Sequence, residues 1–337
     1  MKELDRVGHI LANAVILILL LAFTACEDTP GDLLDPDSAG VWTLYDASNS
    51  GLPGNDVYDM EVDAAGNLWV ACYGYGIAKY TNGSWTKYNT SNSGILSNNV
   101  TAIESKADGS IIVGTRNGIA IMNASGQWSS YKDPLVTTMD INSVRLTSDG
   151  SIWVGTNNEG FYINETTVYS HSPSGFTVYS FEEDKSANVW MGTSNGLFKW
   201  DGNSWTNISV TAGLPSGEVT SLRIDSKERL WIGILNTDKV YLRDNSGIRG
   251  ISLMTGLSGN QIWDICEDKN GDMWFATYGG GLIRYDGVVP HSYKSYNAFT
   301  SEVFAEDEVN CIARDKDGKM WFGLFTKGLV KYTLPLN

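Results

Sequence analysis

Asp63-Ala-Ala-Gly-Asn-Leu-Trp69-Val-Ala, Asp268-Lys-Asn-Gly-Asp-Met-Trp274-Phe-Ala and Asp315-Lys-Asp-Gly-Lys-Met-Trp321-Phe-Gly are three copies of one phrase. Each opens on a polar turn ending in glycine, then places an apolar residue, Trp and a second apolar residue before Gly or Ala. A short loop, another Gly and an alternating strand follow. Four further copies centre on Ile112, Trp153, Trp190 and Trp231, so the seven anchors lie 43, 41, 37, 41, 43 and 47 residues apart. Repetition at a fixed period of this length is the mark of one supersecondary unit stacked many times.

Each unit reads as four short strands. In the first these are residues 57–62, 68–72, 77–80 and 84–88, joined by the Asp63–Gly66 turn, the Tyr73-Gly74-Tyr75-Gly76 loop and an Asn82-Gly83 turn. Asn-Gly and Asp-x-x-Gly turns supply the positive φ that tight hairpins require. Four antiparallel strands every forty residues predict a β-propeller blade, and no stretch sustains the helical periodicity of an α-solenoid. The last unit stops one strand short, after residues 328–334. The missing strand is found at the other end as Gly40-Val41-Trp42-Thr43-Leu44-Tyr45. The expected fold is therefore all-β: a seven-bladed β-propeller of four-stranded antiparallel blades over 40–337, closed by an N-terminal strand that completes the last blade.

Composition agrees with this fold. Hydrophobic residues make up 42%, aromatics 11%, and 36 glycines serve the many turns. A formal charge of −15 excludes a nucleic-acid partner, which would need a basic face. Residues 10–23 form an apolar stretch preceded by Lys2 and Arg6, too short for a membrane span and suited to a signal-peptide core. It ends in Phe23-Thr24-Ala25-Cys26, which resembles the lipobox of bacterial lipoproteins. The resemblance implies a signal segment over 1–25, lipidation at Cys26 and anchorage in the outer membrane, periplasmic or surface-exposed. Residues 26–39 read as a flexible acidic tether, and the acidic start after Cys26 resembles the surface-export signal of Bacteroidetes lipoproteins. The three other cysteines, Cys72, Cys266 and Cys311, fall in strand patterns without the spacing of a disulfide framework and are expected to be buried.

Gly51-Leu-Pro-Gly-Asn-Asp-Val57 and Gly213-Leu-Pro-Ser-Gly-Glu-Val219, together with Trp153-Val-Gly-Thr156 and Trp190-Met-Gly-Thr193, resemble the two-component-regulator propeller repeat. In that family such propellers form the periplasmic sensors of hybrid histidine kinases in Bacteroidetes, often linked to polysaccharide sensing. No kinase follows the propeller in this chain. The resemblance thus implies ligand or protein binding, and signalling is not expected of this chain itself. A more distant resemblance is to the streptogramin lyase propellers, whose His, acid and metal constellation is not located here.

A propeller gathers equivalent loops of every blade around its axis, so candidate residues are sought at one layer of every repeat. One layer precedes each first strand: Asp56, Asn99, Asp140, Thr177, Glu218, Gln261 and Glu308. A second follows each Trp-bearing strand and includes Tyr73, Tyr75, Arg116, Asn157, Tyr278 and Phe325. These positions differ from repeat to repeat, as a tailored pocket requires. Tyr73, Tyr75, Tyr278 and Trp263 are the aromatic platforms best suited to sugars, whereas the repeated Trp residues are read as core. The acidic members could instead hold Ca²⁺, although no cofactor is the primary expectation. Asp56, Glu218 and Glu308 are the carboxylates that a hydrolase or lyase would use. His171 and His291 have no second His at metal-ligand spacing, and no nucleophile elbow, Walker loop or dinucleotide fingerprint occurs. The expected function is a non-catalytic, monomeric cell-envelope module that binds a glycan, a peptide or an envelope protein on its axial face. A structural or assembly scaffold and a carbohydrate-active hydrolase or lyase are the alternatives.

Overall fold

The computed structural model describes residues 40–131, 139–164, 167–170, 172–253, 261–288, 290–293 and 308–333. The expected signal segment (1–25), the tether (26–39) with Cys26, and His171 lie outside the described residues, as does the side chain of His291. Seven four-stranded antiparallel sheets make up the rest. Their first strands are Val57–Val62, Val100–Ser105, Ile141–Leu146, Val178–Glu183, Val219–Ile224, Gln261–Glu267 and Val309–Arg314, which define blades 1 to 7. These strands pack on one another in an unbroken circle, blade 7 returning to blade 1. The strand Val41–Tyr45 pairs antiparallel with Leu329–Thr333, from Val41↔Thr333 to Tyr45↔Leu329, and so supplies the fourth strand of blade 7. Trp42 packs against Tyr332 at the closure, with ring centroids 4.2 Å apart and the rings tilted by 31°. No described helix is long and apolar enough to cross a membrane.

The repeated phrase folds as it does because one carboxylate performs two tasks. In blade 1, Asp63 Oδ1 accepts the backbone N–H of Asn67 at 2.9 Å, closing the turn. Its Oδ2 accepts the indole N–H of Trp69, also at 2.9 Å. The same clasp joins Asp184 to Trp190 (3.0 Å), Asp225 to Trp231 (2.8 Å), Asp268 to Trp274 (3.0 Å) and Asp315 to Trp321 (3.1 Å). It lets a large indole be buried with its N–H satisfied. Where blade 2 has Ile112 in place of Trp, Lys106 stands in place of Asp. The turn residue three after the Asp position takes positive φ in every blade, and in blades 4 and 5 Ala187 and Glu228 do so without being glycine.

The core lies between blades. Trp274 and Ala276 of blade 6, for instance, pack with Val309, Ile312 and Phe322 of blade 7. Cys72, Cys266 and Cys311 are buried free thiols, and burial pushes Cys72 up to about 12 and Cys266 up to about 11. One element has no counterpart in the sequence pattern: a short helix, Ile208–Ala212, between blades 4 and 5. Asn207 caps its start and Gly213 ends it at φ 68°.

Removing the clasp carboxylate in Asp63→Ala leaves the buried Trp69 indole N–H without its partner and should cost about 1–3 kcal/mol in urea unfolding. In a Trp69→Phe background the same substitution should cost measurably less. Equal costs in both backgrounds would assign the whole effect to the turn.

Candidate functional site

Every first strand is interrupted at the same place. Its pairing with the second strand slips between Val57/Asp59, Val100/Ala102, Ile141/Ser143, Val178/Ser180, Val219/Ser221, Ile262/Asp264 and Val309/Cys311. The extra residue in each bulge is Tyr58, Thr101, Asn142, Tyr179, Thr220, Trp263 or Asn310. A bulge bends the strand and re-aims the side chain it carries.

Four of these side chains join their blade to the next. Thr101 Oγ1 donates to the Ile141 carbonyl at 2.5 Å and Asn142 Nδ2 to that of Val178 at 3.3 Å. Thr220 Oγ1 donates to Ile262 O at 2.7 Å, and Asn310 Nδ2 donates across the ring closure to Val57 O at 2.9 Å. The other three bulge residues are aromatic, and their junctions are held differently. Beside Tyr58, Asp59 Oδ2 accepts the Ile103 N–H at 2.6 Å, and beside Trp263, Asp264 Oδ2 accepts that of Ile312 at 2.7 Å. Tyr179 donates its hydroxyl proton to Glu218 of blade 5. Each of the seven junctions thus has its own side-chain bond.

The facing second strand separates the two aspartate blades from the other five. Ala102, Ser143, Ser180, Ser221 and Cys311 lie opposite Gly114, Gly155, Gly192, Gly233 and Gly323, whereas Asp59 and Asp264 lie opposite Ala71 and Ala276. A Cβ at Gly233 would come within 2.2 Å of Ser221 Oγ. The aspartates reach to the next blade instead of covering the facing residue, so Ala fits there.

The axis encloses a chamber of about 600 Å³. Its mouth is lined by Tyr58, Tyr179, Trp263, Tyr278 and Phe325 together with Arg116, Asn142, Asn157 and Thr177. Tyr73 stacks on Tyr58 at 4.9 Å, and Arg116 lies over the Tyr73 ring while pairing with Asp140 at 3.0 Å. Three residues further along the strands, about 10 Å deeper, is a ring of charge. Arg145 Nη2 binds Glu182 at 3.0 Å, Arg223 stands 3.9 Å from the same carboxylate, and Glu61 accepts Ser105 Oγ at 2.6 Å. Glu61 and Glu182 balance Arg145 and Arg223, leaving Glu104 as the odd carboxyl. Burial first, with Glu61 and Glu182 as like-charged neighbours, pushes Glu104 up to about 8 against the pull of Arg145. Burial raises Asp59 and Glu61 as well, and lifts Asp264 to about 6.

The structure divides the residues expected from sequence. Arg116, Trp263, Tyr278 and Phe325 line the chamber, and Tyr73, Asp140 and Glu218 touch lining residues. The layer before the first strands shares one backbone role, to which Asp140, Glu218 and Thr177 add side-chain contacts with the chamber wall. The carbonyls of Asp56, Asn99, Thr177, Glu218 and Glu308 accept the N–H groups of Tyr73, Arg116, Ser194, Leu235 and Phe325 at 2.9–3.2 Å, closing the top of each hairpin. Gln261 opens its strand opposite Tyr278, and Tyr75 is exposed outside the chamber wall. Asp56, Glu218 and Glu308 are not wall residues, and no group of three or more His, Cys, Asp or Glu able to hold a metal occurs among the described residues. Sequence reading missed Tyr58, Tyr179 and the deep charges. Their signal was available: aromatic or charged residues inside first strands where the other repeats carry Thr, Asn or small residues.

Fold and chamber together define a closed propeller with a ligand-sized axial cavity. The Two component regulator propeller family matches residues 51–74, 256–279 and 304–326, so three stretches of the chain carry the two component regulator propeller repeat, the first of them including Gly51-Leu-Pro. The SMP-30/Gluconolactonase/LRE-like region family matches residues 82–200. Among curated proteins the chain is 27% identical to Histidine kinase P4 of Formosa agariphila over 135 residues, 37% of this chain and 10% of that protein. Among solved structures it resembles the extracellular domain of the putative hybrid two component system BT3049 from B. thetaiotaomicron, with a TM-score of 0.73 and 18% identity. The likeness covers 88% of this chain and 42% of that one. Virginiamycin B lyase from Staphylococcus aureus superposes with a TM-score of 0.71 and 16% identity, over 88% of this chain and 100% of that one. The chain therefore spans about a tenth of the curated relative and under half of the regulator domain.

The charge ring makes stability depend on pH. An unfolded Glu titrates near 4.5, so folding takes up a proton at Glu104 between there and about 8. The contribution is full below pH 4.5 and is lost as pH rises through 8. Asp264 acts in the same sense up to about 6. The melting temperature should therefore fall from pH 5.5 to pH 8.5, and Glu104→Gln should shrink that fall. An unchanged slope in the variant would remove Glu104 as its source.

Proposed function

We propose that the protein is a non-catalytic ligand-binding propeller of the bacterial cell envelope, anchored through Cys26, that takes a glycan or a similar small polar ligand in its axial chamber. The observation that carries this reading is the departure of Tyr58, Tyr179 and Trp263 from the bulge rule. Where Thr or Asn would bond the next blade's backbone, three aromatics face the mouth; Asp59 and Asp264 hold two of the junctions in their stead, and Tyr179 holds the third through its hydroxyl on Glu218. Aromatic faces beside Arg116, Asn142 and Asn157 are the surfaces on which sugar rings stack and hydrogen-bond. The regulator domain among the structural neighbours is named as extracellular, which supports a place outside the cytoplasm. The lyase neighbour raises the catalytic alternative, but the carboxylates expected for acid–base work stand outside the chamber wall, which favours binding.

The test is a thermal-shift screen against glycans, peptides and divalent cations. A ligand at a hundred times its Kd adds about 2.7 kcal/mol. For a ligand so found, Trp263→Ala should weaken binding about tenfold or more and leave the melting temperature in its absence nearly unchanged. Asn310→Ala should behave oppositely, lowering stability by about 1 kcal/mol while retaining affinity. Equal loss of affinity in both variants, or no ligand across the panel, would count against an axial binding site.

A further inference from the structure

The hydrogen-bonding ledger of the chamber's charged groups is one-sided. Its acceptors are engaged. Asp59 takes the N–H groups of Met60 and Ile103, and Asp264 takes those of Ile265 and Ile312. Glu182 holds Arg145, Glu61 takes the Ser105 hydroxyl, and Glu104 takes the Leu146 N–H. Its donors are not. Arg223 has five N–H donors and makes no hydrogen bond among the described residues, its nearest partner being Glu182 at 3.9 Å. The Nε atoms of Arg116 and Arg145 are buried without a partner. Four of the chain's nine arginines line this cavity, and no lysine does. A guanidinium presents a rigid planar fork that matches the two oxygens of a carboxylate or sulfate, which an ammonium does not.

We infer that the chamber takes an oxyanion-bearing ligand whose carboxylate or sulfate docks on Arg223 while the rest of the molecule stacks in the aromatic mouth. This rests on the reading of the chamber as a binding site and names the class of ligand it admits. The ligand supplies acceptors for the guanidinium donors that the wall leaves open, and Glu104 stays protonated to about pH 8, so the deep ring does not add a third carboxylate charge to repel it.

The experiment measures binding to the full chain of digalacturonate and of a sulfated digalactose, each against neutral digalactose, at pH 6.5 and fixed ionic strength. At least one anionic probe should bind ten times more tightly than the neutral one. Arg223→Met should abolish that preference. Arg223→Lys, which keeps the charge beside Glu182 and guards against a folding defect, should reduce it several-fold because the fork is lost. Neutral and anionic probes binding alike, with both Arg223 variants unaffected and Trp263→Ala defective, would overturn the inference and leave the binding site standing. Absence of binding by all three probes would overturn it too, and the wider screen would then decide whether the chamber binds anything.

Discussion

A ring of blades leaves the outer edge of each first strand without a strand partner at the axis, and the whole architecture depends on how those backbone groups are satisfied. Buried N–H and C=O groups that find no partner are costly, and an open edge invites mispairing. This protein answers at six of the seven junctions with a side chain that bonds a backbone group of the next blade, drawn from the bulge or from a position beside it, and ties blade 4 to blade 5 through the Tyr179–Glu218 pair. The bulge is what makes the reach possible, because it turns a residue that would lie over the sheet towards the neighbouring blade. Asn310 completes the circle by bonding Val57, 253 residues away in sequence, at the junction that the Val41–Tyr45 strand also secures from the outside.

The axial chamber is written as a set of exceptions to that rule. An aromatic ring in the bulge cannot bond the next carbonyl, so the junction needs a substitute. Aspartate in the following position provides it in blades 1 and 6, and a phenol–carboxylate bond does so in blade 4. The substitution carries a thermodynamic cost. Thr and Asn bury no charge, whereas Asp59 and Asp264 are carboxylates whose ionised forms are disfavoured by burial. The locally less favourable choice occurs twice, each time with Ala where the other blades have Gly on the facing strand, and departures of this kind are expected where a site, not stability, sets the residue.

The fold was legible because its signal is periodic. The Asp-x-x-Gly-x-x-Trp phrase encodes a turn, a buried indole and the bond between them within seven residues, and the unpaired strands at the two ends identify the closure. The site was only half legible. Residues on loops beside the axis, such as Arg116, Tyr278 and Phe325, were found from their place in the repeat. Tyr58 and Tyr179 were passed over because strict alternation assigns a residue to one face or the other, and a one-residue bulge breaks that alternation at the point where the channel begins. The layer before each first strand looked like a polar rim, yet the contacts it repeats are backbone carbonyls, which any side chain would allow.

Net charge does not by itself set what such a chamber admits. At −15 the surface as a whole repels anions, but at physiological salt that field is screened within about 8 Å. Inside a low-dielectric cavity the nearby groups decide. There the carboxylates are committed to backbone amides, to a serine, to an arginine or to a proton, whereas guanidinium donors remain open. An acidic exterior that keeps the molecule soluble is thus compatible with an interior short of acceptors. The preference of such a chamber is set by which hydrogen-bonding groups its own fold has left unused.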